Sequence, residues 1–429
     1  MIRSARVASE ATAHYYYQQA VTLYKQKHYP ESLKQLALGL QVDVNYKPLY
    51  LLARDIFAKL NGVEERRLFA IALSDFDQFQ AFFDLGYHFI DSEHYELAAA
   101  LLEKALALAP TNIDAAYELA FAYMARFNNQ AALKTLAKVD YESDFWAAYL
   151  YYQCKLWLKQ PEGVAEFIQD VQLLLKKQSL NDSLELIQDK INELEESFKR
   201  YQQLTITDKM PIRDWHFVQY GAAILHYNEE NKTIAGGRYT HLQGDNQLVY
   251  LVLNKLVVYL QTLNRVPEKI IALPDSESEL LGQILAQLLQ RPCNTLEMME
   301  DFSHCLMVAA DSSLFNGIEP LVEVCPQQTV FALNHSWLKR SMIVPDVVGF
   351  LTQEYVTSWA EADLEQILTN TTSYYINKIM LNKSFVLEPC FKEHLEFYQS
   401  QDKWLKGGIH GGVKRSPYSI ESPVGAECF

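Results

Sequence analysis

The chain repeats itself at an offset of 34 residues, and a repeat of that length settles an architecture before any other property is weighed. Leu85-Gly86, Phe89, Tyr95, Ala98, Leu102, Ala105 and Pro110 map onto Leu119-Ala120, Tyr123, Asn129, Ala132, Leu136, Val139 and Asp144. Small residues return at Gly86 and Ala120 and at Ala98 and Ala132; large ones return at Phe89 and Tyr123 and at Leu102 and Leu136. Three positions depart from the pattern: Asn129 stands for Tyr95, Val139 for Ala105 and Asp144 for Pro110. Two antiparallel helices approach closely only where the side chains at their crossing are small, and large neighbours fill the space beside it. Pro110 ends the second helix, because it has no amide to donate and biases its predecessor away from helical dihedrals. These residues predict helical hairpins stacked in series.

The blocks beginning at Leu85 and Leu119 resemble the tetratricopeptide repeat family. An earlier copy reads Ala20, Leu23, Tyr29, Ser32, Leu36, Gly39 and Leu40, and a shortened or irregular one Tyr50, Ala53, Phe57 and the helix after Asn61-Gly62. A further unit begins at Phe145-Trp146 and turns at Gln160-Pro161-Glu162-Gly163. The resemblance implies a concave surface that binds a protein or peptide partner. Tyr15, Tyr16, Tyr17, Phe82, Phe83, Tyr87 and Tyr117 are candidates to line it, and at helical spacing each has a competing place in the core between repeats. Leu184, Ile187, Ile191, Leu194, Phe198 and Tyr201 then occur at alternating spacings of 3 and 4, with charges between. That seam suits a helix capping the repeat stack, or a dimer contact through residues 184–201. The expected first domain is residues 1–204, all helical.

From about Thr205 the period changes. The aromatic and aliphatic run Asp214–Tyr227, the turn at Asn228–Asn231 and a short piece ending at Gly236-Gly237-Arg238-Tyr239 read as a β-hairpin, followed by a helix over about Asp245–Leu263. Apolar strands at Lys269–Leu273, Cys305–Ala310 and Thr329–Leu333 alternate with helices at Leu280–Gln290 and near Gly317–Val324. Continuous apolar strands between amphipathic helices mean a mainly parallel sheet covered on both faces. The expected divisions are an α/β domain at 205–360, helices packed on it at 361–404 (near Ala362–Met380 and Cys390–Trp404), and a Gly/Pro/Ser tail at 405–429. Such a tail is flexible unless docked, and the repeat groove is one place it could dock, as a self-regulatory contact.

Over residues 215–350 the order of elements resembles a degenerate type I phosphoribosyltransferase fold. In that family a strand ends in two acids that contact ribose, before a Gly/Thr loop that cradles phosphate. Here the place reads Val308-Ala-Ala-Asp311-Ser-Ser-Leu-Phe-Asn-Gly317: Asp311 matches one acid, Ser312 replaces the other, and no Thr-Gly-x-Thr succeeds them. The loop matching the family's pyrophosphate site is Asp275-Ser-Glu-Ser-Glu279, whose three carboxylates at a helix N-terminus repel an anion. The resemblance implies a relative that kept the sheet and lost the chemistry.

Open α/β sheets hold ligands beyond the carboxyl ends of their strands. Asp275 and Asp311 are therefore the catalytic candidates, and with Asp346 they are candidates to hold Mg²⁺, each with a competing role as a cap or turn acid. Arg213, His216, Arg238 and His241 would form an anion pocket if the hairpin joined them, but their spacing is no metal signature. No GxSxG, Walker A, GxGxxG or HExxH motif occurs.

Composition narrows the classes. Lys+Arg total 38 against 53 Asp+Glu, a net charge of −15, which disfavours nucleic acid because phosphate contacts need clustered cations. A hydrophobic fraction of 49% can form a core. No window approaches the roughly 18 apolar residues of a membrane span. Six scattered cysteines without a CxxC pair suit reduced thiols. The sequence thus predicts a cytoplasmic adaptor with no required cofactor, whose α/β domain is not an enzyme; the alternative is a Mg²⁺-dependent transferase acting on a substrate that the repeats present.

Overall fold

The computed structural model describes residues 12–177, 182–228, 236–322, 325, 327–357, 373–384, 388–408, 414–419 and 421–424. The chain divides after Val164 into two compact units, and Glu421–Pro423 belongs with the first.

The first unit is built from helical hairpins: α1 (Ala13–Lys25), α2 (Tyr29–Val42), α3 (Lys47–Lys59), α4 (Val63–Ser74), α5 (Phe79–Asp91), α6 (Tyr95–Leu108), α7 (Ile113–Ala125), α8 (Asn129–Leu136) and α9 (Phe145–Trp157). Lys27, Asn61, Glu93, Phe127 and Lys159 all have φ near +60°, at intervals of 34, 32, 34 and 32 residues. At each of these corners the next amide reaches back five residues, as His28 N does to the Leu23 carbonyl and His94 N to that of Phe89. This left-handed turn closes the carbonyls that a helix end leaves open. The shortened second copy expected from the sequence is therefore a full hairpin.

The hairpins cross where the sequence has small residues. A Cβ added at Gly86 would meet Leu102 Cγ at 2.6 Å. At an earlier crossing Ser32 is buried, and its hydroxyl donates to the Ala20 carbonyl at 2.7 Å. Beside the crossings, Phe57, Phe69 and Phe89 form a triangle with ring centroids 5.8–5.9 Å apart. Tyr50 joins Phe82 edge-on at 5.8 Å, so Phe82 is core and does not line the surface.

The second unit begins with most of α10 (Val164–Leu175) and takes in α11 (Asp182–Tyr201), both of which the sequence placed in the repeat domain. Ile191, Leu194 and Tyr201 of the expected seam are buried, and Arg200 donates to the Val218 and Gln219 carbonyls at 2.8 and 2.9 Å. That half of the seam is closed within the second unit, whereas Leu186 is half exposed.

The expected β-hairpin is a helix. Ile212–Tyr220 forms α12, and Gly221 ends it with φ +64°. Six of the helix's nine residues are buried and none is fully exposed, so no polar face marks a period and a strand cannot be told from a helix by pattern. Beyond Gly221 the chain enters the two-residue strand β1 (Ala223–Ile224). Residues 229–235, which include part of the expected turn, lie outside the described residues.

The remaining strands are β2 (Tyr239–Gly244), β3 (Lys269–Ala272), β4 (Cys293–Thr295), β5 (Cys305–Asp311), β6 (Thr329–Ser336) and β7 (Val347–Thr357). Their order is β1-β7-β6-β5-β3-β4, with β2 also on β7, and every pairing between them is parallel. α13 (Asn246–Thr262) and α14 (Ser276–Leu289) pack on the sheet, and α15 (Glu319–Val322) is one turn. The sequence reading lacked β4 and β7.

Residues 373–380 form α16 and Pro389–Ser400 α17; the start of the first C-terminal helix expected from sequence falls outside the described residues. Tyr398 of α17 binds both the amide and the carbonyl of Ile224. The tail expected to be flexible is docked where it is described. Tyr418 pairs with Ser341 in an antiparallel bridge, and Lys406, Arg415, Glu421 and Ser422 are buried. Among the described residues, no helix is long and apolar enough to cross a membrane.

Candidate functional site

In the repeat unit an aromatic ladder runs along α5. Phe79, Phe83 and Tyr87 stand four residues apart, on one helix face, and their rings stack at 5.5 and 6.2 Å. Tyr87 is 44% exposed, and Phe83 is half-buried against the core. On α7, Tyr117 is also half-buried, and its phenol is pushed up to about 12 by burial and by the nearby charges of Glu118, Glu421 and Asp144, with Tyr87 also close. Glu118 is itself raised to about 7 by burial and by Asp91 and Asp114. Tyr87 and Tyr117 thus share one acidic, aromatic patch. Tyr16 and Tyr17 are half-buried on α1, two hairpins away, where Tyr17 packs edge-on against Tyr46 at 5.9 Å.

Two parts of this surface were missed by the sequence reading. Asn129, the first residue of α8, is buried and donates its side-chain amide to the Ser422 carbonyl at 2.9 Å. Asn129 was visible only as a departure from the repeat; its partner carries no sequence signal at all.

In the second unit Asp275 and Asp311 succeed or end the adjacent strands β3 and β5, so the sheet does bring them to one edge. Each is engaged locally. Asp275 caps α14 by accepting from the Ser278 amide at 2.9 Å, while its Oδ2 is buried with no partner among the described residues. Asp311 accepts from the Ser313 amide and hydroxyl at 2.9 and 2.6 Å and from Asn334 Nδ2 at 2.6 Å. Ser278 Oγ accepts from the Ala310 amide at 2.8 Å, tying the two loops together.

Asp346 does not join them. It precedes β7, so in a parallel sheet it lies at the opposite, amino end of the strands. There Arg415 grips both its oxygens at 2.9 and 2.6 Å, and the Val330 amide donates to it at 2.8 Å. The expected carboxylate trio is not formed, and no group of three or more metal-binding side chains assembles among the described residues.

The expected anion pocket is not formed either, because its members have different surroundings. Arg213 pairs with Asp214 at 2.7 Å and lies over the Phe397 ring. Arg238 is buried against Trp337 and donates to the Val424 carbonyl at 3.0 Å. His241 is exposed beside Glu354 at 3.4 Å. His216 is buried, its ring 6.4 Å from that of His335.

The buried histidines of this unit give a pH prediction. Burial lowers His216 from 6.5 to about 3, helped by the charge of His335. Burial likewise lowers His335, His226 and His394 to about 4. With folded values below the unfolded one, the unfolded chain takes up protons that the folded chain refuses. Stability is therefore full above pH ~6.5 and falls as pH drops towards ~4, by up to about 1.4 kcal/mol per pH unit for each group. Urea midpoints measured from pH 8 to 4.5 should be flat down to about 6.5 and then fall, and His216→Phe should shallow the fall.

Residues 89–151 match the tetratricopeptide repeat family model, as the sequence reading expected. No curated protein matches the chain. Among solved structures the chain is similar to a purine phosphoribosyltransferase from Pyrococcus horikoshii Ot3, at 14% identity over 29% of this chain and 96% of that one, with a TM-score of 0.24. It is also similar to MamA AMB-1, at 16% identity over 39% of this chain and 94% of that one (TM-score 0.25). A third likeness is to YrrB, described as a TPR protein with an unusual peptide-binding site, at 17% identity over 38% of this chain and 85% of that one (TM-score 0.23).

Proposed function

We propose that the chain is an adaptor that binds a protein partner through its repeat unit, with the α/β unit as a non-catalytic body. The observation that carries this reading is the patch of Phe83, Tyr87 and Tyr117, part-exposed rings on consecutive repeats within and beside the stretch that matches the repeat family. Exposed aromatic rings on a rigid scaffold are the side chains that most often anchor a partner. The local roles of Asp275 as a helix cap and Asp311 as a turn acid favour a structural α/β unit over a transferase. Buried free thiols at Cys154 and Cys305 suit the reducing cytoplasm.

The test uses the full-length tagged chain with a photo-crosslinking amino acid at position 87. A discrete crosslinked partner should form there and not from Leu108, a part-exposed residue at the end of α6. In pull-downs of that partner, Tyr87→Ala with Tyr117→Ala should reduce its recovery about tenfold or more, since anchors of this kind contribute about 2 kcal/mol or more each. Equal recovery at an unchanged melting temperature would overturn the reading.

A further inference from the structure

We propose that the surface at Asn129 and Tyr117 is a binding site for an extended peptide held by its main chain, and that the chain's own Glu421-Ser422-Pro423 occupies it as an internal competitor. The proposal rests on the adaptor reading and deepens it by naming the site and the form of its ligand.

Four observations carry it. Asn129 replaces the tyrosine of the neighbouring repeat, and its amide donates to a main-chain carbonyl, a contact that any extended segment can supply. Asn129, Glu421 and Ser422 are 5%, 7% and 4% exposed, so the segment is seated and not merely near the surface. Pro423 has no amide to satisfy and biases Ser422 towards extended backbone, in keeping with a segment that is neither helix nor turn at Glu421 and Ser422. Glu421 lies close enough to Tyr117 for its charge to act on the phenol, which puts the segment bound at Asn129 beside the aromatic patch.

A tethered segment acts at an effective concentration of about a millimolar, so a free peptide at micromolar levels competes poorly until the tether is removed. The probe is a fluorescein-labelled peptide of the sequence Ser419–Val424, read by fluorescence anisotropy. The intact chain should bind it at least about tenfold more weakly than a chain ending at Ser419. Asn129→Leu in the shortened chain should lower its affinity again, by about tenfold. A folded shortened chain that binds the peptide no better than the intact one would overturn the proposal. Should the shortened chain fail to fold, Asn129→Leu in the intact chain decides instead: it should raise amide exchange at residues 421, 422 and 424 about tenfold or more, and unaltered exchange counts against the site. Crosslinking from position 87 can succeed while the peptide fails, so loss of this inference is distinguishable from loss of the adaptor reading.

Discussion

Arg415→Met is expected to destabilise the second unit by about 3–5 kcal/mol, because it strands a buried carboxylate. The Arg415 and Asp346 side chains are 2% and 1% exposed, and the guanidinium holds both carboxylate oxygens. Its other donors reach the Val322 carbonyl and both Gln328 oxygens, so the substitution also leaves buried acceptors without a partner. Asp346→Asn alone should be costly for the converse reason, a buried cation without its counter-charge. The double substitution should cost less than the sum of the two, since each single change removes the same interaction. Hydrogen exchange of the β5, β6 and β7 amides reads this unit separately from the repeats. Additive losses, or a loss below about 1 kcal/mol for Arg415→Met, would show that the pair does not lock the amino end of the sheet.

Phe89→Ala is expected to cost the repeat unit about 3–5 kcal/mol, the range for deleting a buried ring where neighbours cannot close in. Phe89 is fully buried and touches rings from two earlier helices, Phe57 of α3 and Phe69 of α4. Its removal opens a space among the rings of Phe57, Phe69 and His94. Phe89→Leu should lose less, about 1–2 kcal/mol, because more of the volume stays filled. Exchange of α3–α6 amides measures both. An equal loss for Ala and Leu would mean that ring–ring geometry, and not filled volume, is what the position requires.

How much could be read in advance depends on how far apart the interacting residues lie. The repeats were legible because each crossing, such as Gly86 with Leu102, is written within one hairpin. The choice between core and surface for neighbours such as Phe82 and Phe83 was not, since one step along a helix turns a side chain by about 100° and the stack alone decides which face is covered. The sheet strands with clear apolar runs were found. β4 and β7 were lost because β4 is only three residues long and β7 mixes buried apolar with polar positions. Asp346 looked like a ligand-binding acid because its cation is 69 residues away and nothing local announces it. Asn129 showed as an exception to a pattern, while Ser422, 293 residues distant, could be paired with it only in three dimensions.

The distance between Asp346 and Arg415 also sets an order of events on the ribosome. At about 5–20 residues per second, the 69 positions between them take roughly 3–14 s to polymerise. During that interval the nascent sheet carries a carboxylate whose cation does not yet exist. The helical hairpins ahead of it pack mainly on their own neighbours, whereas Asn129 waits longer still, for Ser422 293 positions on.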